Sequence, residues 1–116
     1  MTEPLRVLIV DDEPLALDYM ETLLASVPDV QLVGRCRSGR EALAELQKQA
    51  VDLMFLDIQM PGLNGLDVVK RCQSDVMPVV VFATAYDEYA VRAFEANAVD
   101  YLSKPFEAER VREAAL

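Results

Sequence analysis

The sequence predicts a doubly wound α/β domain: a five-stranded parallel sheet with helices on both faces. Two observations carry that reading. Short runs of valine, isoleucine and leucine recur without the polar alternation of a half-exposed strand, as expected for strands buried on both faces. Between them lie patterns of helical period, so that a strand–helix unit repeats five times, an order that implies parallel pairing and right-handed crossovers.

The first strand is read over Arg6–Val10. Pro14 suits a first helical position, and Leu17, Met20, Leu24 and Val27 then recur on one face until Pro28 stops the helix. The second strand is read over Val30–Gly34. Ser38 with Glu41 forms a capping box that opens a helix burying Ala42, Leu43 and Leu46. Leu53–Leu56 is the third strand, Pro61-Gly62 a turn, and Leu66, Val69 and Cys72 mark the third helix. Val79–Ala83 follows as a strand, Asp87 can cap a fourth helix, and Asn97 can end it in the left-handed conformation. A weaker fifth strand, Asp100–Ser103, precedes a helix with Glu107 and Glu109 early and Arg110 and Arg112 later, matching the helix dipole. The chain stops at Leu116 inside this last pattern with no glycine or proline stop signal, so its end is expected to be an excision boundary rather than a natural one.

At 116 residues, 53% of them hydrophobic, the chain suits one domain with a single proper core. No apolar run approaches the roughly 18 residues of a membrane-spanning helix, and the N-terminus lacks the apolar region of a signal peptide. Cys36 and Cys72 lack metal-ligand spacing, and no histidine is present to complete a zinc site. Free thiols in a reducing cytoplasm are therefore expected. A net charge of −9 excludes a basic footprint for nucleic acid in this chain.

The stretch "LMFLDIQMPG" poses the central question, because an apolar strand stops on a carboxylate. Burying an unpaired carboxylate is costly, so Asp57 is expected at a water-facing strand end, placed there for chemistry. Open α/β sheets bind ligands beyond the carboxyl ends of their strands. At those ends stand Asp11 and Asp12, Asp57, Thr84, and Ser103-Lys104-Pro105. Clustered carboxylates repel one another unless a counter-charge is present, and Mg²⁺ favours carboxylates, waters and a phosphoryl oxygen. Lys104 adds a point charge for phosphate and Thr84 a hydroxyl donor. The set suits phosphoryl transfer with Asp57 as carboxylate nucleophile. Pro105 is compatible either with a cis bond that aims Lys104 back across the site or with a trans proline opening the last helix.

The stretches "VLIVDDEP", "DLMFLDIQMPGLNGLDV", "VVVFATA" and "VDYLSKPF", in this order and spacing, resemble the receiver domain of two-component response regulators over essentially the whole of residues 1–116. The resemblance implies a flavodoxin-like (βα)5 fold. It implies Asp57 as phosphoacceptor, with Asp11, Asp12 and Asp57 as Mg²⁺ ligands together with the backbone carbonyl of Gln59. Thr84 and Lys104 match phosphate-contacting positions, and Tyr101 the aromatic that reorients on activation. A cognate sensor histidine kinase is the implied donor. The segment "FATAYDEYAVRAFEANAVDYLSKPF" resembles the LytTR-type (LytR/AlgR) subgroup more narrowly, which implies a downstream DNA-binding domain outside this chain and contact with DNA only through it. Two positions depart from many relatives: Asn97 stands where glycine is common, and the bulky Tyr86 lies two residues after Thr84.

Two rival functions differ in class. A Mg²⁺-dependent phosphohydrolase would offer a second acid two residues after the nucleophile, where this chain has Gln59. A phosphorylation-independent interaction module would lose part of the acidic cluster or the lysine, and all five positions are present. A nucleotide-binding domain is weaker still, since none of Gly34, Gly39, Gly62 and Gly65 completes a phosphate loop. The fourth helical pattern is more apolar than one buried stripe requires. With Val91 and Phe94 facing the core, Tyr89, Arg92 and Ala96 are left as an exposed face for a homodimer formed on phosphorylation.

Overall fold

The computed structural model describes residues 3–72, 77–84 and 100–103. The sheet holds β1 (Leu5–Val10), β2 (Val30–Cys36), β3 (Leu53–Leu56), β4 (Val79–Thr84) and β5 (Asp100–Ser103), with α1 (Pro14–Ala25), α2 (Gly39–Lys48) and α3 (Gly65–Arg71) between the first four. The strand order is β2-β1-β3-β4-β5 and every pairing is parallel. This is the flavodoxin-like arrangement, in which the order reverses after β1 and leaves a crevice beyond the carboxyl ends of β1 and β3. The fourth and fifth helices expected from the sequence fall outside the described residues.

Side chains of a strand point alternately to the two faces, and the core divides accordingly. Val7 and Ile9 of β1, Leu53 and Phe55 of β3, and Val81 and Ala83 of β4 pack with Leu17, Met20 and Leu24 of α1. Leu8 and Val10, Met54 and Leu56, and Val80 and Phe82 face the other way, against Ala42 and Leu46 of α2 and Leu66 and Val68 of α3. Complete burial of such side chains stabilises the fold by roughly 1.5–3 kcal/mol each. Every residue of β3 is buried, as its unbroken apolar run predicts.

Three elements differ from the sequence expectation. α1 ends at Ala25, where the Ser26 hydroxyl donates to Leu23 O (2.8 Å), so Val27 joins the core from the turn rather than from the helix. Asp29 then adopts a left-handed φ of 61°, a conformation that its short polar side chain tolerates. β2 runs on to Cys36 and is only half-buried for most of its length. Its place at the sheet edge, which its valine and leucine content does not reveal, is the reason. α3 packs mainly through Leu66 and Val68, while Val69 and Cys72 are only partly buried.

β2 also slips its register by one residue. Val7 pairs with Leu32 but Leu8 with Gly34, leaving Val33 without an opposite number on β1. The Val33 carbonyl is met by the side chain of Gln49 (3.1 Å), which also donates to Glu45 Oε2 and accepts from Arg6 (2.6 Å). Arg6 donates further to Ala50 O (2.7 Å), and its backbone N–H to Asp52 Oδ2 (2.9 Å). The irregularity is thus held by a network at the amino-terminal rim of the sheet.

The Ser38–Glu41 cap is present in altered form. Ser38 Oγ accepts from Glu41 N (3.2 Å), but Glu41 Oε2 reaches the Arg37 N–H and the Ser38 hydroxyl rather than the Ser38 N–H. The Cys36 thiol is free, as expected. Cys36 is 1% exposed, and burial, reinforced by Glu41 and Glu45, pushes its pKa from 9.0 up to about 12. The unfolded chain therefore loses this proton at lower pH than the folded one. Its contribution is intact below about pH 9 and declines as pH rises toward about 12. Urea titrations across that window are expected to show stability falling more steeply in wild type than in Cys36→Ala, and parallel slopes would contradict the assignment.

Candidate functional site

Asp11 and Asp57 stand one residue beyond adjacent parallel strands, where the ladder continues for one more bond. Asp11 N–H donates to Cys36 O (3.0 Å) and Asp57 N–H to Val10 O (2.9 Å). This fixes both backbones at the carboxyl edge of the sheet. The Glu13 N–H then donates to Asp11 Oδ1 (3.0 Å), orienting that carboxylate as the chain turns into α1. Asp12, half-buried, completes the group, and one oxygen from each of Asp11, Asp12 and Asp57 lies within 4.8 Å of the others.

The expectation that Asp57 faces water needs correction. Asp57 is only 4% exposed and Asp11 7%. The chain after Asp57 does not leave for solvent: Ile58 and Met60 turn down into the core, 1% and 7% exposed. Only then does the turn at Gly62, with φ of 77°, reverse the chain. Gln59 between them is exposed.

The start of α3 anchors this loop, a feature that the apolar spacing alone did not reveal. Asn64 Oδ1 accepts from Asp67 N (2.9 Å), and Asp67 Oδ2 accepts from Asn64 N (3.1 Å). The readable signal was asparagine three residues before an acid, just ahead of an apolar run. Gly65 N–H donates to Ile58 O (2.8 Å), tying the helix to the residue after Asp57.

Of the other expected site residues, Thr84 closes β4 with its Cα opposite Ser103, and Tyr101 lies opposite Phe82 on the same ladder. Both strands therefore end on the edge that carries the three aspartates. Lys104, Tyr89, Arg92 and Ala96 lie outside the described residues.

The geometry meets its counterpart in known proteins. A family model, that of the response regulator receiver domain, matches residues 7–116. This chain belongs to the response regulator receiver domain family. The transcriptional regulatory protein BtsR of Salmonella typhi is 47% identical over 107 residues, covering 92% of this chain and 45% of that protein. BtsR of Escherichia coli (strain K12) is 44% identical over the same shares. The chain thus spans a little under half the length of these curated relatives. Among solved structures, the response regulatory domain of protein mrkE from Klebsiella pneumoniae superposes with a TM-score of 0.88 at 37% identity, covering 96% of this chain and 92% of that one. The signal receiver domain of the putative response regulator NarL from Mycobacterium tuberculosis also gives 0.88, at 29% identity over 97% and 94% of the two chains.

A receiver domain is a phosphoacceptor signalling module, and its acidic triad is of the kind that holds Mg²⁺. The residues here fit that ion: the donors are three carboxylates, and the sequence has no histidine to favour a softer metal. Among the described residues no helix is long and apolar enough to cross a membrane.

Bringing three carboxylates together opposes folding, and a cation bound only by the folded site relieves that repulsion. Mg²⁺ at one hundred times its dissociation constant is expected to stabilise the domain by about 2.7 kcal/mol. Asp12→Ala is expected to lose most of this gain while matching or exceeding wild type without metal. Equal Mg²⁺-induced shifts in Tm for the two proteins would remove Asp12 from the site.

Proposed function

We propose that this receiver domain accepts a phosphoryl group on Asp57 from a sensor histidine kinase and relays the modification to a transcriptional output. The observation that carries this reading is the meeting of Asp11, Asp12 and Asp57 within 4.8 Å at the carboxyl edge of the sheet. A carboxylate oxygen of Asp57 attacks phosphorus, forming a new P–O bond as the P–N bond of a phosphohistidine breaks. The electron pair of that bond leaves with the imidazole, and the aspartyl residue becomes an acyl phosphate. Asp11, Asp12 and Asp57, with the backbone carbonyl of Gln59, would hold Mg²⁺, which when bound supplies positive charge to the phosphoryl oxygens. The Thr84 hydroxyl donates to a phosphoryl oxygen and the Lys104 ammonium pairs with another. Tyr101 follows Thr84 inward, coupling the modification to a change of surface.

The output reading rests on the relatives. BtsR is named a transcriptional regulatory protein and is more than twice the length that this chain covers. Together with the LytTR-like segment from Phe82 to Phe106, this supports a cytoplasmic regulator that meets DNA through a further domain outside this chain. Tyr89, Arg92 and Ala96 supply the face through which phosphorylated receivers pair.

Mass spectrometry after treatment with acetyl phosphate and Mg²⁺ is expected to find one phosphoryl group on wild type and none on Asp57→Asn, with no labelling when Mg²⁺ is chelated. Equal labelling of both proteins would move the acceptor elsewhere. Sedimentation with beryllofluoride, a phosphoryl mimic, is expected to shift the domain from monomer toward dimer, and Arg92→Glu to weaken that shift. A monomer at every concentration in both states would reject the dimer face.

A further inference from the structure

Gly65 is the first residue of α3, and its backbone lies against the peptide that follows Asp57. A Cβ built there would stand 2.5 Å from Asp57 O, 2.9 Å from Ile58 Cα and 3.1 Å from Asp57 C. All three neighbours are main-chain atoms of the acceptor strand's exit, so no flexible side chain can move aside. Reaching ordinary contact at 3.4 Å requires helix and strand exit to part by 0.9 Å. The requirement is one of space rather than of backbone torsion, which separates Gly65 from Gly62 with its left-handed φ of 77°.

The contact has a functional corollary. Asp57 is held from one side by its N–H bond to Val10 O (2.9 Å) on β1. On the other side its carbonyl rests against Gly65, whose own N–H is bonded to Ile58 O (2.8 Å). The peptide between these two anchors sets the direction of the Asp57 side chain and of the following turn, which carries Gln59. We infer that Gly65 is a positioning residue for the cation and phosphoryl site: by letting α3 approach without a side chain, it fixes Asp57 relative to Asp11 and Asp12. This inference rests on the phosphoacceptor reading and adds to it a residue that touches neither metal nor phosphoryl group.

Mg²⁺ demands near-ideal octahedral geometry at short distances, whereas Ca²⁺ accepts looser and longer coordination. A displaced Asp57 therefore harms the two ions unequally, which simple destabilisation of the fold does not. Gly65→Ala is expected to bind Mg²⁺ about tenfold more weakly than wild type and Ca²⁺ less than about threefold more weakly, by titration calorimetry on the folded protein. Phosphorylation by acetyl phosphate should fall with the Mg²⁺ affinity. The comparison variant is Gly34→Ala, whose Cβ meets only side-chain ends, Leu8 Cδ1 at 2.9 Å and Gln49 Nε2 at 4.0 Å, on the edge of the sheet. It is expected to lower stability with Mg²⁺ affinity unchanged.

Should Gly65→Ala fail to fold, hydrogen exchange at the Gly65 amide of wild type gives the answer. Opening that frees this amide also releases Asp57, so Mg²⁺ at one hundred times its dissociation constant should slow exchange there about 100-fold. Wild-type Mg²⁺ affinity in Gly65→Ala, equal losses for Mg²⁺ and Ca²⁺, or an exchange rate indifferent to Mg²⁺ would overturn the positioning role alone. A wild type that binds no Mg²⁺ and is not labelled on Asp57 would overturn the phosphoacceptor reading beneath it.

Discussion

Two carboxylates almost closed to solvent, Asp11 and Asp57, share one small volume with a third, Asp12. Like charges brought out of water and toward one another oppose folding, and the rest of the chain is arranged so that they have no way to separate. Asp11 and Asp57 each sit one residue beyond a strand whose final side chain, Val10 or Leu56, is buried. The Asp11 amide is bonded to β2 and the Asp57 amide to β1, so the sheet itself sets their spacing. The hydrophobic burial of β1 and β3 on both faces stabilises far more than the mutual repulsion destabilises.

That core is built from two layers that contribute differently. The face holding Val7, Ile9, Leu53 and Phe55 meets α1, which begins at Pro14, two residues after Asp12. The opposite face meets α2 and α3, and α3 reaches the acceptor through Gly65. A change in the direction of Asp57 is thus felt by the second layer through main-chain contact, with no chain of side chains intervening. The surface groups around α1 are of another kind. Arg35 donates to Asp18 and Glu21 at 2.8 and 2.9 Å, which raises its pKa, but such exposed pairs contribute little stability.

Much of this was legible in the chain. β3 begins and ends where its apolar run does, Pro14 opens α1, Ser38 caps α2, and the three aspartates meet as their places at strand ends imply. What was not legible shares one cause: it depends on neighbours distant in sequence. The half-exposure of β2 follows from having one strand beside it rather than two. The burial of Asp57 follows from the inward turn of Ile58 and Met60. Gly65 reads as an ordinary helix-start residue until the strand exit is found 2.5 Å from its missing Cβ. The Asn64–Asp67 cap is an exception, since its pattern is local and was there to be read.

The slipped register of β2 has a consequence of its own. An outermost strand offers its row of main-chain donors and acceptors to any other strand that drifts past, the route by which folded proteins begin to aggregate. A regular partner strand needs a regular template, and β2 breaks its rhythm where Val33 is skipped. Gln49 then occupies the Val33 carbonyl with a side chain fastened to Arg6 and Glu45. The irregularity at this rim thus makes β2 a less regular template on the flank of the sheet.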